Sequence, residues 1–177
     1  MIIPLENVSF NLIPKLKKEI FIYPTDTIYG IGCDAENKTL VKKIREIKNR
    51  DKGPFSIIAP DFEWILANCK ADEKQIKKYL PGPYTLILEK KKKEFLSHVS
   101  ENKFLGVRIP NHKFTKILQE IKKPIVTTSV NLKSEKPANN ITEINPKILE
   151  KVKIIINAGE LSGKPSTLIR GKEIIKR

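Results

Sequence analysis

Short runs rich in Ile and Val alternate with amphipathic stretches along almost the whole chain, and this alternation constrains the fold more than any other feature. Strand-like runs fall at 19–23, 55–59, 85–89, 105–109, 125–128 and 153–157. Between them, Leu40, Val41, Ile44 and Ile47 share one face of a helix, as do Phe114, Ile117, Leu118 and Ile121. Asn145 followed by Pro146 reads as a helix cap with proline in the first turn. The pattern predicts an α/β domain on a twisted sheet, mostly parallel or mixed, with helices packed against it. A chain of 177 residues is long enough for one domain with a real core, so residues 1–177 are expected to form one unit.

Composition excludes several classes. Hydrophobic residues at 40% and charged residues at 31% describe a globular chain rather than a disordered one. No run approaches the roughly 20 apolar residues of a membrane-spanning helix, and the N-terminus lacks a secretory pattern. A cytoplasmic protein without a membrane partner is expected. Cys33 and Cys69 are too few for a disulfide framework and lack zinc-ligand spacing, so no metal site is expected. The net charge is +14, and Lys supplies 29 of the 34 basic residues. That surplus reads equally as a solvated surface or as an attraction for a polyanion. The five arginines, Arg45, Arg50, Arg108, Arg170 and Arg177, are more informative, because a guanidinium grips phosphate or carboxylate with two bonds at once.

Two motif matches are misleading. Gly30 to Ala35 satisfies G-x-G-x-x-A, but the strand before it ends at Tyr23 and helical periodicity begins only near Leu40. Gly159 to Ser166 approaches a P-loop but is one residue short and carries Pro165 where the helix should open. The only histidines, His98 and His112, sit in no nucleophile-elbow or zinc-protease pattern, which disfavours covalent catalysis through Ser-His or Cys-His.

Five polar clusters remain, each just after a strand-like run: Tyr23 to Gly32, Lys48 to Pro54, Gly106 to Pro110, Thr127 to Asn131 and Gly163 to Thr167. The first and fourth read equally as turns and caps, and the second as cations complementing a helix end. Arg108 is different, since a charge between Val107 and Ile109 must find a partner or leave the core. Ligands in open α/β sheets bind beyond strand C-terminal ends, so the clusters point to one shared pocket for a nucleotide and a small acid.

The string Tyr23-Pro24-Thr25-Asp26-Thr27-Ile28-Tyr29-Gly30-Ile31-Gly32 resembles the signature of the YrdC/Sua5 family of threonylcarbamoyl-AMP synthases. Lys48-x-Arg50, Pro81 to Thr85, Val107 to Pro110, Ser129-x-Asn131 and Ser166-Thr167 match in the family's order, over about residues 20–170. The resemblance implies a YrdC-like open sheet with a concave basic face, and the short form without the C-terminal Sua5 domain. It implies condensation of L-threonine, bicarbonate and ATP, with Mg2+ on the nucleotide, to threonylcarbamoyl-AMP and pyrophosphate for tRNA modification. Implied partners are tRNA or double-stranded RNA and the proteins that transfer the group.

By the same resemblance Lys48, Arg50, Ser129 and Asn131 are the catalytic residues. ATP would be held by Lys48, Arg50, Lys52, Asn131 and Arg177, and threonine by Thr27, Arg108, Ser129 and Ser166. Two departures stand out: the stretch from Lys48 to Pro54 is shortened and lacks the family's first proline, and Lys133-Ser134-Glu135 replaces the usual Ser-Gly. The alternatives are a non-catalytic RNA-binding module and the carbamoyl-adenylate chemistry of hydrogenase maturation, which normally belongs to a much longer chain.

Overall fold

The structure, a computed structural model, describes residues 1–161 and 163–176. Its strands are β1 (Ile2–Pro4), β2 (Phe21–Tyr23), β3 (Gly30–Gly32), β4 (Ser56–Ile58), β5 (Cys69–Lys70), β6 (Tyr84–Lys90), β7 (Phe104–Arg108), β8 (Ile125–Ser129), β9 (Ile154–Asn157), β10 (Thr167–Arg170) and β11 (Glu173–Ile175). The helices are α1 (Ile13–Leu16), α2 (Lys38–Ile47), α3 (Phe62–Asn68), α4 (Glu73–Tyr79), α5 (Thr115–Glu120) and α6 (Pro146–Leu149). The strands pair in the order β1-β9-β2-β3-β8-β4-β7-β6-β10-β11, with β5 on β6. The sheet is mixed. β9 runs parallel to β1 and β2, and β7 parallel to β4, whereas β8 runs antiparallel to both β3 and β4.

Residue alternation along the strands divides the core into two layers. Ile22 and Ile155 join the layer with Val41, Ile44 and Val107, while Phe21, Tyr23, Ile154 and Ile156 join the layer with Leu16, Phe114 and Leu118. That is the period-2 arrangement of a sheet buried on both faces. Each fully buried Ile contributes about 1.5–3 kcal/mol. Helix α2 forms where the apolar spacing places it: Asn37 caps it by accepting from the Leu40 N–H, and Val41, Ile44 and Ile47 face inward. Asn145 caps α6, with Pro146 in its first turn.

The sequence reading treats 23–32 as one loop, whereas the structure makes it a hairpin. Strand β3 lies antiparallel to β2, with Phe21 opposite Gly32 and Tyr23 opposite Gly30. Glycine-rich segments carry no apolar period, so β3 gives no strand signal. Its glycines are required by contact: a Cβ on Gly32 would run into the Val126 carbonyl, and one on Gly30 would lie 3.2 Å from the Tyr23 ring. Strands β1, β5, β10 and β11 also escape the sequence reading, being short or at sheet edges. Among the described residues, no helix is long and apolar enough to cross a membrane.

Candidate active site

Arg108 ends β7 almost entirely buried, at 6% exposure. Its partner is Asp26, from the turn after β2: Arg108 Nη2 donates to Asp26 Oδ1 at 2.7 Å. The second carboxylate oxygen of Asp26 accepts from the Asn111 N–H at 2.8 Å, which ties the turn to the chain leaving β7. Both terminal nitrogens of Arg108 also reach Thr27 Oγ1 at 3.3 Å. Burial lowers the pKa of Arg108 and the charge of Asp26 opposes that shift. One donor is left over: Arg108 Nε is buried with no acceptor among the described residues. An unsatisfied buried N–H is costly, and an entering carboxylate would satisfy it.

Thr27 sits beneath a second crossing segment. A Cβ on Gly163 would collide with the Thr27 backbone, so the stretch joining β9 to β10 lies directly on the turn. That stretch is pinned by the Leu161 N–H to Asn139 O at 2.8 Å, and Ser166 Oγ shares a 2.7 Å hydrogen bond with Thr85 Oγ1. Tyr29 anchors its start, accepting from the Ala158 N–H and donating to Gly159 O.

Lys48 caps the C-terminal end of α2 and turns its ammonium inward. Nζ donates to Ser129 O, to Asn131 O at 2.7 Å and to Asn131 Oδ1 at 3.4 Å. Burial, and secondly the nearby Arg50, lower its pKa to about 8, partly opposed by Glu135. Arg50 donates through Nη2 to Pro54 O at 3.0 Å and lies over Phe55, 5.2 Å from the ring centre. Asn131 is oriented by Nδ2 bonds to Glu135 O and Leu132 O. Glu135, in the stretch that departs from the family pattern, therefore holds the Lys48–Asn131 contact from behind.

Two cavities collect these groups. The first, about 270 Å³, is lined by residues of all five polar clusters, among them Thr25, Arg50, Arg108, Thr127, Ser129 and Ser166. The second, about 510 Å³, is lined by Lys48, Arg50, Asp51, Lys52, Asn131 and Lys133, and again by Ser129. Arg50 and Ser129 thus stand at the junction of the two chambers, the second of which is cationic. The shared pocket expected from the strand ends is present, divided in two. Thr27 lies under the first chamber's wall through Thr25, whose Oγ1 is 2.9 Å from its own hydroxyl. Arg177 falls outside the described residues. Asp26 and Lys133 carry no role in the sequence reading. Asp26 stands beside Thr27 inside the signature string, and Lys133 follows Asn131 by two, but neither neighbour reveals which way a side chain turns.

The chain matches the Sua5/yciO/yrdC family, described as telomere recombination, over residues 16–177. It is 36% identical over 165 residues to a provisionally named threonylcarbamoyl-AMP synthase of Methanocaldococcus jannaschii, covering 88% of this chain and 78% of that one. It is 31% identical over 163 residues to the threonylcarbamoyl-AMP synthase of Vibrio campbellii, covering 85% of this chain and 86% of that one. Among solved structures, Sua5 of P. abyssi complexed with L-threonine superposes with a TM-score of 0.86 at 27% identity, covering 98% of this chain. This chain spans 55% of that Sua5 chain. E. coli YciO superposes with a TM-score of 0.82 at 26% identity, covering 100% of this chain and 94% of YciO.

Proposed function

The chain belongs to the Sua5/yciO/yrdC family, and from that premise we propose that it is a threonylcarbamoyl-AMP synthase. The observation that carries this reading is that Arg50 and Ser129 line both chambers, so a small acid in one and a polyphosphate in the other meet at them. Threonine's carboxylate would take the unpaired Nε–H of Arg108, with Thr27 and Ser166 beside it. The ATP phosphates would lie against Lys48, Arg50, Lys52 and Asn131, with Lys133 as a further cation.

The threonine amine and bicarbonate form a carbamate with loss of water. A carbamate oxygen then attacks the α-phosphorus, a new P–O bond forms, and the bond to pyrophosphate breaks. The nucleophile is the substrate's own oxygen, so the protein's work is to align two reactants and to offset the negative charge building at the phosphorus. Lys48 and Arg50 supply the positive charge that offsets it, and Asn131 holds Lys48 in place. Mg2+ would enter with ATP. Among the described residues no cluster of three His, Cys, Asp or Glu forms a metal cage, and Asp51 is the one carboxylate named on the cationic chamber's wall. That fits a hard cation held mainly by phosphate oxygens and water.

The cytosol is the proposed setting, supported by two free buried thiols, Cys33 and Cys69. One continuous sheet carries the whole site, which supports residues 1–177 acting as one unit. A net charge of +14 supports tRNA or double-stranded RNA as a partner, and the synthase reading calls for proteins that transfer the group. A non-catalytic RNA-binding module gives no reason to bury Lys48 against Ser129 and Asn131. The test is threonine-dependent pyrophosphate release from ATP and labelled bicarbonate by the purified protein. Absence of that release at high enzyme concentration sinks the reading.

A further inference from the structure

Arg45 is a cation that the reaction as proposed does not use, yet it is built into the turn that carries Arg50. It lies in the last turn of α2, where a positive charge alone would complement the helix end. Its guanidinium is turned elsewhere. Nη1 donates to Gly53 O at 2.9 Å, and Nη2 donates to His98 O at 3.2 Å and Val99 O at 3.4 Å. Its Cζ sits 4.4 Å from the centre of the Phe55 ring, the same buried ring that Arg50 covers at 5.2 Å.

The surroundings make the two arginines one unit. The Arg50 N–H donates to Arg45 O at 2.9 Å, and the Phe55 N–H to Val99 O at 2.9 Å. Gly53 has φ +97°, and a Cβ there would press 3.2 Å from Arg50 Nη2, so the turn leaves room for that guanidinium. Phe55, Pro54 and Arg50 together form one wall of the acid chamber. Two like charges lie over one aromatic ring, and burial first, then the charge of Arg45, lowers the pKa of Arg50.

We propose that Arg45 is a positioning residue for the polyphosphate: it clamps the 53–55 turn through Gly53, His98 and Val99, and its charge drives Arg50 toward an incoming anion. Arg50 rests on a single carbonyl, Pro54 O, whereas Arg45 holds three. When a phosphate arrives, Arg50 leaves Pro54 while Arg45 keeps the turn in place, and the repulsion between the two cations is relieved. The inference rests on the synthase reading and adds to it a residue that touches no substrate.

The test titrates ATP into wild-type protein and into R45Q, R45K and F55L, with KM for ATP and for threonine measured in turnover and thermal melts alongside. R45Q is expected to weaken ATP binding about tenfold while leaving the threonine KM within about twofold. R45K keeps the charge but loses the fork and should fall between, and F55L, which removes the ring that both guanidiniums cover, should weaken ATP binding. A merely structural role would lower the melting temperature and move both KM values together or neither. R45Q binding ATP within about twofold of wild type, or losing both substrates in parallel, overturns the proposal. If R45Q does not fold, R45K decides by the same two criteria. Failure of the wild type to bind ATP removes the synthase reading and this inference with it, whereas wild-type binding unchanged in the variants removes the inference alone.

Discussion

Arg108 and Arg50 face the same 270 Å³ cavity, but they are held there in different ways. Arg108 is buried and already neutralised by a carboxylate, with both terminal nitrogens engaged and one donor left over. Arg50 is half-buried and rests on one backbone carbonyl and one aromatic ring. The first arrangement fixes a geometry before the ligand arrives. The second, in the proposed reading, leaves a charge that a polyanion can draw away from one carbonyl. A carboxylate is small and needs an oriented donor, whereas a triphosphate is extended and strongly charged, so it can reorganise the cations it meets.

The largest effect that would break this contrast is at the buried pair. Replacing Arg108 by Ala leaves the Asp26 carboxylate without its cation, and should cost about 3–5 kcal/mol in urea unfolding together with loss of threonine-dependent turnover. Asp26 and Arg108 removed together should recover much of that stability but no activity. Unfolding of the single variant at the wild-type urea midpoint would show that the pair is not held as described.

Arg50→Ala tests the other side. Turnover should fall about 10²–10³-fold, as when one charge-stabilising donor is lost, while stability should change by only about 1 kcal/mol, since one carbonyl bond and one contact with an aromatic ring are forfeited and the repulsion from Arg45 is relieved. A melt lowered as far as in the Arg108 variant would erase the distinction between the chambers.

Gly163→Ala sharpens it further. The added methyl must push the crossing segment off the Thr27 backbone, at a cost of about 1–3 kcal/mol. The threonine KM should rise and the ATP KM should not, because the added methyl meets Thr27. Steady-state kinetics with each substrate varied in turn separates the two.

The smallest effect is in pH. The pKa of Lys48 is lowered from its ordinary 10.5 to about 8, so the unfolded chain holds that proton more tightly than the folded one. Its buried charge costs stability below pH 8, and the cost is relieved as pH rises from about 8 toward 10.5. ATP affinity should move the opposite way, declining as the ammonium deprotonates above about 8, while threonine affinity should stay level because Lys48 does not line the chamber that holds Arg108. Kd for ATP between pH 7 and 9.5, with Lys48→Arg abolishing the slope, measures this.

Much of the framework was legible. Val41, Ile44 and Ile47 announced α2 by spacing, and β4, β6, β7, β8 and β9 appeared within one or two residues because their Ile and Val runs are local facts. Strand β3 was not legible, since Gly30 and Gly32 serve as strand residues only against the Tyr23 ring and the Val126 carbonyl. In the site, Arg108 declared itself as a charge in an apolar run. Asp26 did not, because acids in turns are common and nothing nearby says where this one points. Arg45 read as an ordinary charge at a helix end, and its three carbonyl partners lie in other segments.

Sequence alone determined the α/β alternation, the family signature and the demand that Arg108 be paired, since each depends on near neighbours and on a residue's own chemistry. Tertiary structure decided that the partner is Asp26, 82 positions away, that Lys48 closes on Ser129 across 81, and that Arg50 and Ser129 join two cavities. Those contacts follow from strand order, which sets antiparallel β8 between β3 and β4 and so brings three polar turns to one place. Strand order is a property of the whole sheet's energy, and no short window of residues contains it.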